Sequence, residues 1–236
     1  APVGRSEDDR SPMTKPEAGI TALIPKRDVE ILDVWNVSDL RGTGSFSFTI
    51  NDHFVPSGRT FGAADPPRED GAIYVIPTVL MFAAGFGTVS LGIARSALDT
   101  AIDLARSKTP VMTKSVLGDL STTQRRIGEA EAALASSKAF LTEAVADLWT
   151  EASRDHALSI ETRIRLRLAG THAIRTSADV VDAAYNLAGA DSIFARNPIQ
   201  RRFQDMHVIT QQAQGRMAHY DTAGAFYLGQ SPSGFF

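Results

Sequence analysis

The sequence predicts a mainly α protein: a C-terminal four-helix bundle preceded by the last strands of an antiparallel β-domain. Three observations carry that prediction. From about Ile73 onward, apolar residues recur at helical spacing almost without interruption. Leu120, Ile127, Leu134, Leu141 and Leu148 follow one another every seven residues, the period of a bundle seam. Before Asp70 the apolar runs are short and β-like. The boundary falls between residues 70 and 71, leaving a partial β-domain over 1–70 and the bundle over 71–236.

Along the first part, Ala1–Pro12 is polar and rich in turn formers, so it reads as a loop. Three strands are expected, at Ile20–Ile24, Val29–Val34 and Ser45–Asn51. The last alternates strictly. Phe46, Phe48 and Ile50 share one face and Ser45, Ser47 and Thr49 the other, the pattern of a half-buried strand. Asn51-Asp52 turns the chain, and Phe54-Val55-Pro56 leaves the sheet at a proline. So few strands make a poor independent unit, and the abrupt start leads us to expect that a larger sheet and a preceding domain are missing.

The first bundle helix is expected over Tyr74–Ser107. Val75, Val79, Phe82, Phe86, Val89, Ile93 and Ala97 line one face, and Leu80, Ala84, Leu91, Ala94 and Leu98 its neighbour. A helix apolar on most sides belongs at the centre. Lys108-Thr109-Pro110 ends it. The second helix carries the seven-residue seam over Leu117–Asp155, and the third runs over Ile160–Ala188 to a break at Gly189-Ala190-Asp191. Asn197-Pro198 reads as an N-cap with proline at the first helical position. From there a fourth helix is expected to reach about His219, with a further turn or two over Thr222–Leu228.

Composition narrows the function. Lys+Arg 24 against Asp+Glu 27 gives a net charge of −3, with no basic excess to neutralise a nucleic-acid backbone. Without cysteine there is no disulfide scaffold, thiolate metal site or cysteine nucleophile. We read no leader peptide and no membrane span, and expect a soluble, cytoplasmic protein. Gly85-Phe86-Gly87 lies inside an apolar helix, where glycines serve packing rather than dinucleotide binding. Gly42-Thr43-Gly44-Ser45 lacks the strand–turn–helix setting of a nucleophile elbow. The five histidines show no metal-ligand spacing, so no metal is expected. His53 and His156 read as surface residues and His172 as a satisfied bundle histidine. His207 shares a helical face with Gln211 and Gln214, a polar patch that fits a solvated face as well as a site.

Two stretches carry a resemblance. Trp35-Asn-Val-Ser-Asp-Leu-Arg41-Gly-Thr-Gly-Ser45, followed by the alternating strand and Phe54-Val-Pro56, resembles the middle-domain signature of the acyl-CoA dehydrogenase superfamily. Asn197-Pro-Ile-Gln-Arg-Arg-Phe-Gln-Asp-Met-His207 resembles the opening of the last long helix in the branch of two-component flavin-dependent monooxygenases (the group D hydroxylases). The resemblance implies an acyl-CoA dehydrogenase-like fold, usually a homotetramer, with the chain holding the end of the β-domain and the whole bundle.

A dehydrogenase of this superfamily needs a carboxylate base in the last helix or near the start of the first bundle helix. Here no Asp or Glu lies between Asp205 and Asp221, nor between Gly71 and Asp99. Ala213 or Gln212 stands where the glutamate is expected. The resemblance therefore implies a monooxygenase, using reduced FMN or FAD from a flavin reductase and O₂ to hydroxylate an aromatic or polycyclic substrate through a C4a-hydroperoxyflavin. It implies a catalytic role for His207 beside the flavin and cofactor contacts from Arg106, Gly189, Ser192 and Gln211. Other readings stay open: Arg106 as a cation answering its helix dipole, Gly189–Ser192 as a plain helix breaker, and Arg202 with Asp205 as an ion pair. An acyl-CoA dehydrogenase with a displaced base, or a non-catalytic assembly homologue, are the alternative functions.

Overall fold

The computed structural model describes residues 20–62 and 65–234; the loop expected over Ala1–Pro12 lies outside them. The chain divides into two compact units, Ala1–Asp70 and Gly71–Phe236.

In the first unit, β1 (Ile20–Ala22) pairs antiparallel with β4 (Thr60–Gly62), and β2 (Glu30–Leu32) with β3 (Ser47–Thr49). Ile20 stands opposite Gly62 and Ile31 opposite Phe48. The expected strands exist but are trimmed to three residues each, and β4 was not foreseen. Two separate ribbons replace the single sheet remnant. Phe46 and Phe48 are 46% and 63% exposed, so of the face expected to be buried only Ile50 is partly covered. A two-stranded ribbon has no second layer with which to cover a face. Between β2 and β3, Leu40 (φ +52°) and Gly44 (φ +56°) flank a 3₁₀ turn at Arg41–Thr43. The Thr43 hydroxyl closes that turn by donating to the Leu40 carbonyl at 2.8 Å.

The second unit holds α1 (Thr78–Ala105), α2 (Ser121–Asp155), α3 (Ile160–Ala188), α4 (Pro198–Thr210) and α5 (Ala218–Tyr227). α1 starts four residues later than expected, directly after Pro77, because a proline disfavours helical backbone in the residue before it. α2 likewise waits until Ser121, since Leu117–Asp119 forms a 3₁₀ turn and Leu120 is extended. Both ends of α3 fall where expected. The Ser159 hydroxyl accepts from the Thr162 N–H at 3.2 Å, and Gly189 stops the helix with φ +58°. At α4, the Asn197 side chain accepts from the Ile199 N–H at 3.0 Å, with Pro198 at the first position.

The fourth helix does not reach His219. It ends at Thr210, passes through a 3₁₀ turn at Ala213–Gly215 and resumes as α5. The central position also belongs to α3 rather than α1, because α3 packs against α1, α2, α4 and α5. Its crossing with α1 is close. A Cβ at Gly170 would stand 2.7 Å from the Ala83 carbonyl oxygen, and one at Gly87 would stand 3.0 Å from Leu141. Gly87 is thus a packing glycine, while Gly85 faces open space. Leu80, Leu98, Ile164, Ile174, Ile199 and Met206 are fully buried around this crossing. Leu134, Leu141 and Leu148 of the seven-residue seam are buried too.

Contrary to the expectation of no membrane span, an 18-residue window within α1 reaches a mean hydropathy of 1.4, so by length and composition the helix is apolar enough to cross a membrane. The Gly71–Ala94 stretch contains no charged residue. In the fold, α1 is a bundle helix that buries Leu80, Ala83, Leu91, Ala94 and Leu98 and leaves Met81, Phe82 and Val89 exposed.

Candidate functional site

α3 and α4 run side by side and set four side chains in mesh. Asp182 and Tyr185 come from α3, Phe203 and His207 from α4, each pair one turn apart. His207 Nε2 lies 2.9 Å from Asp182 Oδ1. The Phe203 ring meets the imidazole edge-on, with centroids 4.4 Å apart, and stacks at 4.3 Å on Tyr185. The His207 and Asp182 side chains are each 43% exposed, so the pair is half-open to solvent. Nearby on α4, Asp205 pairs with Arg201 at 3.5 Å.

A second cluster gathers at the Gly189 turn. Lys108, just past the end of α1, donates to the Ala188 carbonyl at 2.6 Å and pairs with Asp191 at 2.7 Å. This ammonium ties the end of α1 to the α3–α4 link. Ser192 is buried, and its hydroxyl donates to the Gly189 carbonyl at 2.6 Å, which closes the turn. Gly189 itself is exposed. Arg106, two residues before Lys108, is exposed and pairs with Asp103 at 2.9 Å.

The third cluster is the break after α4. Gln211 is exposed, and its amide donates to the Thr210 hydroxyl at 3.1 Å. Gln214 does not share a face with His207, contrary to expectation. The helix has ended, and Gln214 turns inward to 5% exposure, where its side-chain oxygen accepts from Arg167 and its carbonyl from the Thr171 hydroxyl at 3.0 Å. Arg175 donates to the Gly215 carbonyl at 2.7 Å and the Thr210 carbonyl at 3.3 Å, satisfying acceptors the broken helix leaves over. The Thr171 hydroxyl also meets His219 Nδ1 at 2.9 Å. Burial, helped by the Arg167 and Arg216 cations, pushes the His219 pKa down to about 4. Burial likewise lowers that of Arg167.

Sequence reasoning named His207, Gly189, Ser192, Arg106 and Gln211 but missed Asp182, Lys108 and the arginines that hold the break. Arg167, Thr171 and Arg175 recur every four residues, a signal that could have revealed a polar face on α3. Asp182 and Lys108 meet partners 25 and 80 residues away, and no local spacing reports that. His172 is satisfied as expected, with the Tyr220 hydroxyl 3.4 Å from its Nδ1. Among the described residues, no three His, Asp or Glu side chains group so as to hold a metal ion.

Residues 84–216 match the family described as the acyl-CoA dehydrogenase C-terminal domain, more than half of the chain. The chain belongs to this family. Over 211 residues it is 31% identical to an indole-3-acetate monooxygenase of Pseudomonas putida, covering 89% of this chain and 54% of that protein. Over 202 residues it is 26% identical to HsaA, the oxygenase subunit of a flavin-dependent monooxygenase of Rhodococcus jostii, covering 82% and 53%. The crystal structure of the 3-HSA hydroxylase from Rhodococcus sp. RHA1 shares the fold with a TM-score of 0.81 at 24% identity, over 91% of this chain and 58% of that one. XiaF from Streptomyces sp., in complex with FADH2 and glycerol, does so at 0.82 and 20% identity, over 92% and 57%. The chain spans about half the length of the curated relatives it matches.

Within the acyl-CoA dehydrogenase C-terminal domain family, these clusters can be tested for fit to a flavin. Gly189 offers exposed backbone beside Lys108, whose ammonium is held by Asp191 and the Ala188 carbonyl, and Arg106, two residues before Lys108, is an exposed cation paired with Asp103. Such a combination suits an anionic phosphate. Tyr185, Phe203 and His207 give a partly open aromatic surface. The residues fit a flavin, and they provide no carboxylate base in α4 beyond Asp205 or in the following break.

Proposed function

We propose that this chain is part of the oxygenase component of a two-component flavin-dependent monooxygenase that hydroxylates an aromatic or polycyclic compound. The observation that carries the proposal is the residue set along α4 and its break. A half-exposed histidine backed by Asp182 and an aromatic pair sits there, and α4 beyond Asp205 and the break after it carry no carboxylate of their own. The indole-3-acetate monooxygenase and HsaA names of its relatives support the same reading. A bound reduced flavin, FMN or FAD delivered by a separate reductase, would supply the electrons that activate O₂.

The chain's own residues do the rest. Arg106 and the exposed Gly189 backbone hold the phosphate end, while Ser192, buried with its hydroxyl on the Gly189 carbonyl, keeps that turn closed. Gln211 offers amide hydrogen bonds at the end of α4. His207 accepts and returns a proton at the reacting edge, a task suited to imidazole near neutral pH. Phe203 and Tyr185 keep water from one side of it. The protein works as a homotetramer in the cytoplasm, where reduced nicotinamide feeds the reductase.

The test supplies the complete protein with a flavin reductase, NADH, FMN or FAD, ¹⁸O₂ and a panel of indoles and phenols. One labelled oxygen atom in the product is the expected result. Anaerobic bleaching of bound flavin by acyl-CoA, with no hydroxylated product, would sink the proposal.

A further inference from the structure

The structure assigns Asp182 as the positioning residue for His207, fixing which imidazole nitrogen is left to work; this assignment rests on the monooxygenase reading above. An ionised carboxylate can only accept, so the ring nitrogen facing it, Nε2 at 2.9 Å, carries the proton. A neutral imidazole has one N–H and one lone pair, and the lone pair is therefore on Nδ1. When Nδ1 takes up a proton, the resulting imidazolium donates to Asp182 from its other nitrogen. The carboxylate stabilises that charged form without accepting the proton itself.

The ring is also held against rotation. Phe203 packs edge-on against it at 4.4 Å and is in turn stacked on Tyr185 at 4.3 Å. A hydrogen bond on one atom and an aromatic edge on the ring leave the imidazole little freedom to swing or flip. The pair is not there for stability. With both side chains 43% exposed, an ion pair of this kind contributes little to folding. Asp182 stands 25 residues before His207, inside the stretch that matches the family but outside the motif that ends at His207, and only the packing of α3 on α4 brings the two together.

The experiment has two arms on the complete protein. The first is nitrogen NMR of ¹⁵N-histidine-labelled protein without flavin, substrate or reductase, at a pH where His207 is neutral. The parent should show His207 protonated on Nε2 alone, and Asp182→Ala should show both tautomers. Asp182→Glu should restore the parent pattern at least in part. The second arm measures product formed per O₂ consumed. Asp182→Ala should fall roughly tenfold or more, with released H₂O₂ rising to match, and Asp182→Glu should recover part of the loss. A parent His207 protonated on Nδ1, or an Asp182→Ala protein with unchanged tautomer and coupling, overturns the assignment. A parent that shows the Nε2 signature but hydroxylates nothing overturns the monooxygenase reading, and with it the catalytic purpose of Asp182, while the pairing itself stands.

Discussion

His219 sits between the Thr171 hydroxyl and the arginines that surround the break, and its depressed pKa makes a testable difference. Its folded value is about 4, below the ordinary value of 6.5, so the unfolded chain binds the proton more readily. Stability should therefore be complete above about pH 6.5 and decline as the pH falls toward 4. The side chain is only partly buried, so the loss is on the order of 1–2 kcal/mol. Urea denaturation at about pH 7 and pH 4.5 checks it: His219→Gln should lose less stability over that interval than the parent does. Arg106 makes the opposite kind of case. Its pair with Asp103 is exposed on both sides, 74% each, so Arg106→Ala should leave the melting temperature unchanged. If the guanidinium meets flavin phosphate, the same variant should bind FMN at least tenfold more weakly and riboflavin nearly as before, since one charge-assisted contact is worth roughly 1.5–3 kcal/mol. Equal losses for both flavins would count against a phosphate contact.

At the scale of elements, the α1–α3 crossing is the least tolerant place in the bundle. A methyl at Gly170 would press on the Ala83 carbonyl at 2.7 Å, which is backbone and cannot rotate aside. Gly170→Ala should destabilise by about 1–3 kcal/mol in denaturant unfolding, whereas Gly85→Ala, facing open space, should be neutral or slightly stabilising. Element boundaries were legible where local chemistry sets them. Gly189 marks the end of α3, and Asn197-Pro198 marks the start of α4. They were not legible where the cause is distant. Nothing within Thr210–Gly215 announces a break as strongly as the Arg175, Thr171 and Arg167 side chains that satisfy it from α3. β4 escaped notice because Thr60-Phe61-Gly62 is too short to show alternation. His207 could be singled out from its polar neighbours, but Asp182 is paired with it only by packing.

For the whole molecule, α1 carries more apolar surface than this chain covers. Met81, Phe82 and Val89 are 38%, 53% and 55% exposed on a helix that is otherwise core. In the proposed homotetramer that surplus faces another subunit. Sedimentation at micromolar concentration should then find a stable oligomer, and Phe82→Glu should dissociate it while leaving helix content intact; a monomeric parent would contradict this arrangement. The organisation around α3 has a different consequence. At about 100° per residue, Arg167, Thr171, Arg175 and Asp182 all fall within roughly 80° around its axis. α4 is thus geared to α3 at two teeth, one gripping the break after it and one gripping the histidine, and the seven residues from Arg175 to Asp182 keep the two in phase. One residue inserted after Ser177 would swing Asp182 about 100° away from His207 while the clasp on the break stayed engaged.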